Sequence, residues 1–240
     1  MCCNSEKNIL ITGCTSGIGL ETAKYLYECG YKLLLIARDK EKLKDLSCLF
    51  NGALFYVCDL CDIELIKNIF AFCQERNIKL SGMVHSAGYA VNMPIKSFKI
   101  DDMERQMKVH YYAFLELCKY FSNKKVSLDN SSIVALSSLA SMTKRRMSTL
   151  YAASKSALNV AVSVAAKEFA KRGIRVNSLM PAYVDTRMNA GLEDLIDVRE
   201  RQPMGLIPPK EIAYLIEFLL SGKSRYITGA NIPISAGMDF

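Results

Sequence analysis

The chain has 240 residues, of which 50% are hydrophobic and 23% are charged, and its formal net charge is +7. This length and balance predict one globular domain over residues 1–240 with a large core. No apolar run approaches the roughly 18–20 residues of a membrane-spanning helix, and the amino terminus lacks a secretory signal pattern. We therefore expect a cytoplasmic protein that does not bind membranes. Nucleic-acid binding is not expected either, since no recognition motif accompanies the positive charge.

The nine cysteines do not predict disulfides, because the chain is neither small nor marked for export. We expect reduced thiols that are mostly buried. Cys58 and Cys61 match the C-x-x-C spacing of redox and zinc motifs, but no second pair completes a zinc ligand set. No metal site is predicted.

The first predicted strand leads into a glycine-rich loop. The apolar run 8–11 is followed by the glycine-rich segment 12–19 and then by the helix-like segment 20–26. Glycines let the backbone approach phosphate groups, and the first turn of a helix offers unpaired N–H groups and the positive end of its dipole. The loop therefore predicts a pyrophosphate-binding site. Its candidate contacts are Gly13, Thr15, Ser16, Gly17, Ile18 and Gly19.

Further along the chain, short apolar runs alternate with amphipathic stretches. The runs at 33–36, 54–57, 83–84, 133–136 and 176–179 do not alternate with polar residues, which is typical of strands buried on both faces. The amphipathic stretches 62–76 and 101–121 are typical of helices. This order predicts the α/β class. We expect a single-domain Rossmann fold, a doubly wound parallel sheet of about seven strands with helices on both faces.

Ser138, Tyr151 and Lys155 form the candidate catalytic group. Tyr151 and Lys155 are four residues apart, so on a helix their side chains lie on one face. Because an ammonium favours a phenolate, we expect Lys155 to lower the pKa of Tyr151 from its ordinary value of about 10. Tyr151 would then exchange a proton with the substrate, and the Ser138 hydroxyl would hold a carbonyl oxygen beside it. The pattern predicts a nicotinamide-dependent oxidoreductase, in which the cofactor carries the hydride.

These motifs, together with the segments 175–181 and 226–231, resemble the short-chain dehydrogenase/reductase family over nearly the whole chain. In length and motif set the chain resembles the 3-oxoacyl-acyl-carrier-protein reductase branch. The resemblance implies a variable substrate segment at about 186–208. It also implies further cofactor contacts, at Asp59, Leu60, Ser86, Ala87, Gly88, Tyr151, Lys155, Pro181, Val184 and Thr186.

The end of the second predicted strand bears on the choice of cofactor. Family members that prefer NAD carry an acidic residue at the position of Ala37, where it binds the ribose diol. Ala37 cannot do this, and Arg38 resembles the arginine with which NADP-preferring members bind the 2′-phosphate. The resemblance implies a preference for NADP(H), with NAD(H) as the alternative. Arg38 could instead be a solvated residue that begins a charged helix, and the glycine loop lacks the basic residue of many NADP-preferring members.

His110 stands where the family has an asparagine that is counted as a fourth catalytic residue. In relatives this asparagine holds a water beside the lysine largely through its main-chain carbonyl, and we favour the interpretation that His110 keeps this water site. The imidazole, with an ordinary pKa of about 6.5, could instead join the proton path, or it could simply pack within the helix. His85 and Ser86 replace two asparagines of another family motif, and a functional role is not expected for His85.

Positive side chains cluster near the predicted site. Lys144, Arg145 and Arg146 lie between Ser138 and Tyr151 in the sequence, and Arg187 begins the variable segment. The ordinary interpretation is a solvated loop. The alternative is a basic rim that attracts an anionic substrate or an acidic carrier protein.

The helix that carries Tyr151 bears on assembly. Its catalytic face includes Lys155 and Leu158, and its opposite face also consists of small or apolar residues. This opposite face is formed by Ala153, Ala157, Val160, Ala161 and Val164. A helix with apolar surface all round must be buried on both sides. In the family it packs against its equivalent in a second subunit, which implies a homodimer or homotetramer; cover by another part of the same chain is the alternative.

The main interpretation is an NADPH-preferring ketone or 3-oxoacyl reductase that acts on a small carbonyl or alcohol substrate. A sugar-nucleotide or other small hydroxy-compound dehydrogenase is the alternative within the same class. From another class, the chain could be a nucleotide-binding sensor or scaffold that has lost turnover.

Overall fold

The structure, a computed structural model, describes residues 7–189, 198 and 200–240. Seven parallel strands form one sheet in the order β3-β2-β1-β4-β5-β6-β7. The strands are β1 Asn8–Thr12, β2 Lys32–Ala37, β3 Leu54–Val57, β4 Leu80–His85, β5 Ser127–Leu136, β6 Arg175–Pro181 and β7 Asn231–Ile234. The predicted parallel sheet is confirmed, and the predicted runs 83–84 and 133–136 are the carboxyl-terminal parts of longer strands.

Helices connect successive strands and lie on both faces of the sheet, as predicted. They are α1 Gly17–Glu28, α2 Lys40–Ser47, α3 Ile66–Glu75, α4 Ile100–Met107, α5 Ala113–Phe121, α6 Ala140–Thr143, α7 Thr149–Phe169 and α8 Pro209–Leu220. The stretch predicted as one helix over 101–121 is divided, because a π-helical turn at Lys108–Tyr112 joins α4 to α5. Within the described part of the chain, no helix has the length and apolar character needed to cross a membrane.

The core consists of two layers, one on each face of the sheet. Alternate strand residues enter opposite layers, as the two-residue period of a strand requires. Leu10 and Leu34 lie in the layer formed with α3, α5 and α7, whereas Ile9 and Leu33 lie in the layer formed with α1, α2 and α8. Both faces of the central strands are therefore apolar, which explains why their sequences do not alternate.

The described cysteines are free thiols, and four of them are buried. The buried set is Cys14, Cys58, Cys73 and Cys118. Burial raises the pKa of the Cys58 thiol to about 11 and also raises the pKa of Cys61. Because the thiolate is the reactive form, these shifts oppose a redox role for the C-x-x-C pair.

Candidate active site

The candidate site lies at the carboxyl ends of the strands, where β1 and β4 are neighbours and their connections leave in opposite directions. In open α/β sheets, ligands bind at such a switch point. Here the loops that follow the strands enclose a cleft of about 670 Å³. The cleft extends from the loop after β2 and β3 to the amino-terminal turn of α7.

The glycine-rich loop forms the floor of this cleft. Gly13 has a φ of +69°, and a Cβ atom there would lie 2.7 Å from the backbone of Ala87. Only glycine fits this position, because the conformation and the close approach both exclude a side chain. Thr15, Ser16, Gly17 and Ile18 line the cleft at the start of α1.

The amino terminus of α1 is suited to bind an anion. In the described structure the Ser16 side chain makes no capping hydrogen bond, and no acidic residue lies in the first turn. The first-turn N–H groups and the positive end of the helix dipole are therefore available to a pyrophosphate. The residues present fit a dinucleotide.

Gly19 differs from the other predicted contacts, since it does not line the cleft. It is buried, and a Cβ atom there would overlap the Gly13 carbonyl oxygen. Gly19 thus lets the first turn of α1 pack against the loop, and its direct contact with the cofactor stays a prediction.

The end of the cleft near β2 and β3 carries exposed charge. Arg38 follows β2, is exposed, and lines the cleft together with Asp39 and Lys42. Asp39 caps α2: its side chain accepts a hydrogen bond from Lys42 N at 3.1 Å, and its other oxygen lies 3.3 Å from Lys42 Nζ. The backbone hydrogen bond from Lys42 holds the pKa of Asp39 below its ordinary value. Arg38 and Lys42 together form a positively charged corner.

The remaining predicted cofactor contacts line the same cleft. They are Asp59, Leu60, Ser86, Ala87, Gly88, Pro181, Val184 and Thr186. Asp59 follows β3, and its Oδ1 accepts a hydrogen bond from Cys61 N at 2.9 Å. The carboxylate therefore stabilises the loop that follows β3. The backbone N–H groups of Ser86 and Ala87 donate hydrogen bonds to Thr12 Oγ1 at 3.2 and 3.3 Å, which fixes the loop after β4 against β1.

Ser138, Tyr151 and Lys155 meet at the opposite end. Ser138 follows β5, and its hydroxyl accepts a hydrogen bond from Ala140 N at 3.2 Å. Lys155 is buried, and its Nζ donates to the Leu136 carbonyl at 2.7 Å while lying 5.7 Å from the centre of the Tyr151 ring. All three side chains line the cleft. The structure therefore brings together the three residues that the sequence singled out.

The protonation of this group differs from the expectation. Burial raises the pKa of Tyr151, and its side-chain hydrogen bond with Ser138 only opposes that shift. Burial also lowers the pKa of Lys155 to about 7. The expected lowering of the Tyr151 pKa is not found in this structure, because loss of solvent outweighs the hydrogen bond with Ser138. Tyr151 is a phenol at neutral pH.

His110 lies in the π-turn, and both nitrogens of its ring have partners. The Tyr89 N–H donates to Nε2 at 3.3 Å, so the proton is on Nδ1, which donates to Ser154 Oγ at 2.8 Å. Ser154 Oγ in turn donates to the Tyr151 carbonyl at 2.8 Å. Burial lowers the pKa of His110 well below its ordinary value. This arrangement favours a neutral imidazole that orients the helix of Tyr151, and it opposes a role in the proton path.

His85 forms a second, parallel connection beneath the cleft. Its Nε2–H donates to the Val109 carbonyl in the π-turn at 3.2 Å, and its Nδ1 accepts from Thr12 Oγ1 at 3.1 Å. Burial lowers the pKa of His85 to about 3. Through these two hydrogen bonds the side chain joins the π-turn to β1, the strand that precedes the glycine loop.

Sequence reasoning missed two side chains at the ends of the cleft. Lys42 lies four residues after Arg38, and the helix-capping sequence Asp39-x-x-Lys42 could have indicated it. Tyr183 follows β6, and its ring lies 5.1 Å from the Arg145 guanidinium. Nothing in the local pattern distinguishes Tyr183 from a core residue.

Comparison with known proteins identifies the class of this site. Residues 13–239 match the family model described as enoyl-(acyl carrier protein) reductase. A short-chain dehydrogenase/reductase of Botryotinia fuckeliana is 31% identical over 251 residues, which cover 97% of this chain and 96% of that protein. The 3-oxoacyl-acyl-carrier-protein reductase of Rickettsia prowazekii is 28% identical, with 97% of this chain and 96% of that protein covered.

Solved structures have the same fold. The short-chain dehydrogenase/reductase named glucose/ribitol dehydrogenase from Brucella melitensis has a TM-score of 0.92 at 25% identity, covering 98% of this chain and 97% of that chain. A 4-hydroxyisoleucine dehydrogenase complexed with NADH has a TM-score of 0.89 at 26% identity, covering 97% and 98%. The chain belongs to the short-chain dehydrogenase/reductase family. It is an NAD(P)-dependent oxidoreductase that acts on CH–OH or C=O groups.

Proposed function

We propose that this chain is an NADPH-preferring reductase of a small ketone or 3-oxoacyl compound. The observation that carries the proposal is the convergence of Ser138, Tyr151 and Lys155 at one end of the cleft, with a positively charged corner at the other. The first set supplies the groups that carbonyl reduction needs, and the second supplies the groups that the 2′-phosphate of NADPH needs.

The protonation of the site favours the reductive direction. A bound nicotinamide would supply the hydride. Tyr151, kept in its phenol form by burial, would donate a proton to the carbonyl oxygen, and the Ser138 hydroxyl would donate a hydrogen bond to the same oxygen. We assign Lys155 to the binding of the nicotinamide ribose, since its buried position beside Tyr151 suits a hydroxyl-bearing ligand.

The preference for NADPH rests on three residues. Ala37, at the end of β2, offers no carboxylate to a ribose diol, and Arg38 and Lys42 flank the same part of the cleft. Asp39, the acid next to Arg38, is engaged in capping α2. A phosphate in this corner would lie beside the Arg38 guanidinium and the Lys42 ammonium, whereas NADH would bring no anion to Arg38 and would leave Lys42 paired with Asp39 alone. NAD(H) remains the alternative that the test below addresses.

The alternative within the same class is a sugar-nucleotide or other small hydroxy-compound dehydrogenase. Relatives named as dehydrogenases favour it. The segment 186–208 would discriminate the two, but residues 190–197 and 199 lie outside the described part of the chain. A cytoplasmic location and a single domain over 1–240 also stay predictions.

We also propose that the chain forms a homodimer or homotetramer through α7. Val160 and Val164 are 65% and 47% exposed, and Ala153 is exposed beside them. Ala161, predicted on this face, is instead buried in the core. Because no described part of the chain covers the two valines, a second subunit is the natural cover.

Sedimentation velocity tests this assembly. The wild-type protein should sediment as a multimer, and Val160→Lys should shift it toward the monomer. A monomeric wild-type protein would refute this proposal.

The function is tested by steady-state oxidation of NADPH and of NADH against ketones, 3-oxoacyl thioesters and oxidised sugars. We expect turnover with a ketone or 3-oxoacyl compound, and a higher kcat/KM for NADPH than for NADH. Turnover only with NADH, or only in the oxidative direction with sugars, would favour the dehydrogenase alternative. Tight NADPH binding without any turnover would revive the sensor interpretation.

A further inference from the structure

Ser138 is held in place by the short helix that follows it. Its hydroxyl oxygen accepts a hydrogen bond from Ala140 N at 3.2 Å. Its carbonyl accepts hydrogen bonds from Ser141 N at 3.1 Å and from Ser141 Oγ at 2.7 Å. Both donors belong to α6. The orientation of the Ser138 side chain beside Tyr151 therefore depends on where α6 lies.

This helix is too short to hold its own position. α6 contains four residues, Ala140–Thr143, and helices of fewer than about 12–15 residues are marginal in water without support from the rest of the fold. The support comes from α7, against which α6 packs. Two polar side chains of α7 reach the buried Ser141: Ser156 Oγ lies 3.2 Å from its carbonyl oxygen, and Asn159 Nδ2 donates to its hydroxyl at 3.0 Å.

The direction of the contact between Asn159 and Ser141 is fixed by the number of protons. The Ser141 hydroxyl has one proton, which it donates to the Ser138 carbonyl, so it can only accept from Asn159. The amide of Asn159 supplies the donor through Nδ2. An apolar side chain in its place would remove this donor, and a carboxylate would also compete with the Ser138 carbonyl for the Ser141 proton.

Asn159 is itself connected to the sheet. Its Oδ1 lies 3.2 Å from the hydroxyl of Ser178, a buried residue of β6. Ser178 Oγ donates to Asn231 Oδ1 in the neighbouring strand β7 at 2.6 Å, and Asn231 Nδ2 donates to the Asn159 carbonyl at 3.4 Å. The side chain of Asn159 thus joins two strands of the sheet to the helix that holds Ser138.

We propose that Asn159 is a positioning residue for carbonyl reduction, which acts through Ser141 to keep the Ser138 hydroxyl directed at the carbonyl oxygen. Neither Asn159 nor Ser141 is among the described residues that line the cleft, so we assign neither a contact with cofactor or substrate. A donor displaced by about 1 Å can cost up to roughly 10²-fold in rate, and we therefore expect an effect on turnover rather than on binding. The inference rests on the proposed role of Ser138.

The first test compares turnover with cofactor affinity. The probe is 3-oxobutanoyl N-acetylcysteamine, a small 3-oxoacyl thioester, at saturating NADPH. Asn159→Ala and Ser141→Ala should each lower kcat by about tenfold or more, whereas the NADPH dissociation constant, measured by fluorescence, should change by less than about twofold. Ser163→Ala is the matched control, because Ser163 Oγ donates to the Asn159 carbonyl at 3.1 Å and makes no hydrogen bond to Ser141. It should keep the wild-type kcat.

A double-mutant cycle separates positioning from a general loosening of the fold. In a Ser138→Ala background, Asn159→Ala should lower kcat by less than about twofold, because the hydroxyl that it positions is already absent. An equal loss in both backgrounds would show that Asn159 supports the fold rather than Ser138, and would overturn the inference. Ser141→Ala gives the same cycle if Asn159→Ala does not fold, since alanine is the best helix former.

The direction of the hydrogen bond provides a further variant. Asn159→Asp keeps the size of the side chain but replaces the amide donor with an acceptor, so the Ser141 proton is drawn away from the Ser138 carbonyl. This variant should lower kcat at least as far as Asn159→Ala does. A wild-type kcat for Asn159→Asp would contradict the assigned direction and refute the inference.

Crystal structures keep the inference separate from the proposed function. Asn159→Ala and Ser141→Ala should lose the hydrogen bond from Ala140 N to Ser138 Oγ, or show Ser138 in a second rotamer. If the wild type does not reduce the thioester but Ser138 moves in both variants, the proposed function fails and the positioning role stands. If Ser138→Ala impairs turnover while Asn159→Ala and Ser141→Ala keep the wild-type kcat and an unmoved Ser138, the proposed function stands and the positioning role is wrong.

Discussion

The two ends of the cleft differ in how far their ionisable side chains are buried. At the reacting end, Lys155 and His110 are buried and hydrogen-bonded, and burial shifts the pKa of each. At the far end, Arg38 is exposed and Lys42 is paired only with the helix cap Asp39. Protonation at the reacting end is therefore set by the fold, whereas the far end presents single exposed charges that substitution can remove without disturbing the core.

The largest effect is expected for Tyr151→Phe. Removal of the phenol proton should lower kcat by roughly 10²–10⁴-fold, because proton transfer is needed only in the reaction, while the ring still packs against His110. The NADPH dissociation constant should change little. Tyr120→Phe, outside the cleft, is the matched control for loss of a hydroxyl. Retention of more than about a tenth of the rate would remove Tyr151 from the proton-donor role.

The second-largest effect is expected for Arg38, at the exposed end of the cleft. Arg38→Ala should weaken NADPH binding by about 1.5–3 kcal/mol and leave NADH nearly unchanged, since in the proposed binding mode the guanidinium would contact only the 2′-phosphate. Lys42→Ala should act in the same direction. Lys40→Ala, which removes an exposed cation that does not line the cleft, is the control. Calorimetric titration gives the affinity of the wild type and the three variants for each nucleotide. An equal loss of NADPH and NADH affinity in Arg38→Ala would show that Arg38 does not bind the 2′-phosphate.

Burial at the reacting end should also appear in the pH dependence of stability. The pKa of Lys155 is about 7 in the folded protein and 10.5 in the ordinary state, so the unfolded chain binds more protons between these values. The Lys155 contribution to the free energy of unfolding therefore rises with pH over this window. Denaturant unfolding of Lys155→Met should lack this rise, whereas Lys40→Met should keep it. Parallel curves for wild type and Lys155→Met would mean that the ammonium is better solvated than the structure indicates.

The smallest effect is expected for His110. With both ring nitrogens engaged and the pKa lowered by burial, the imidazole should stay neutral across the working range. The pH profile of kcat should show no inflection between about 5.5 and 7.5 that belongs to this residue, and His110→Asn should retain activity. An inflection in the wild type that disappears on substitution would make His110 catalytic.

Features of this molecule that depend on neighbouring residues could be predicted from the sequence, whereas features that depend on residues distant in sequence could not. Short-range patterns in the sequence predict the glycine loop, the strand cores and the candidate residues Ser138, Tyr151 and Lys155. The structure places the loop and these three side chains in one cleft. The π-turn could not be predicted, because the periodicity of 101–121 is continuous and the turn depends on a hydrogen bond from His85, which is distant in sequence. The raised pKa of Tyr151 likewise depends on burial by many residues, which no spacing encodes.

The central claim, that the buried end of the cleft reduces a carbonyl with a hydride from NADPH, is tested most directly by isotope transfer. Wild-type protein would be incubated with NADPH deuterated at the transferable position of the nicotinamide and with the best ketone or 3-oxoacyl compound, and the product would be analysed by mass spectrometry. We predict one deuterium on the new alcohol carbon, and its loss in Tyr151→Phe. Product without deuterium, or a protein that binds NADPH and transfers none to any carbonyl, would contradict the account.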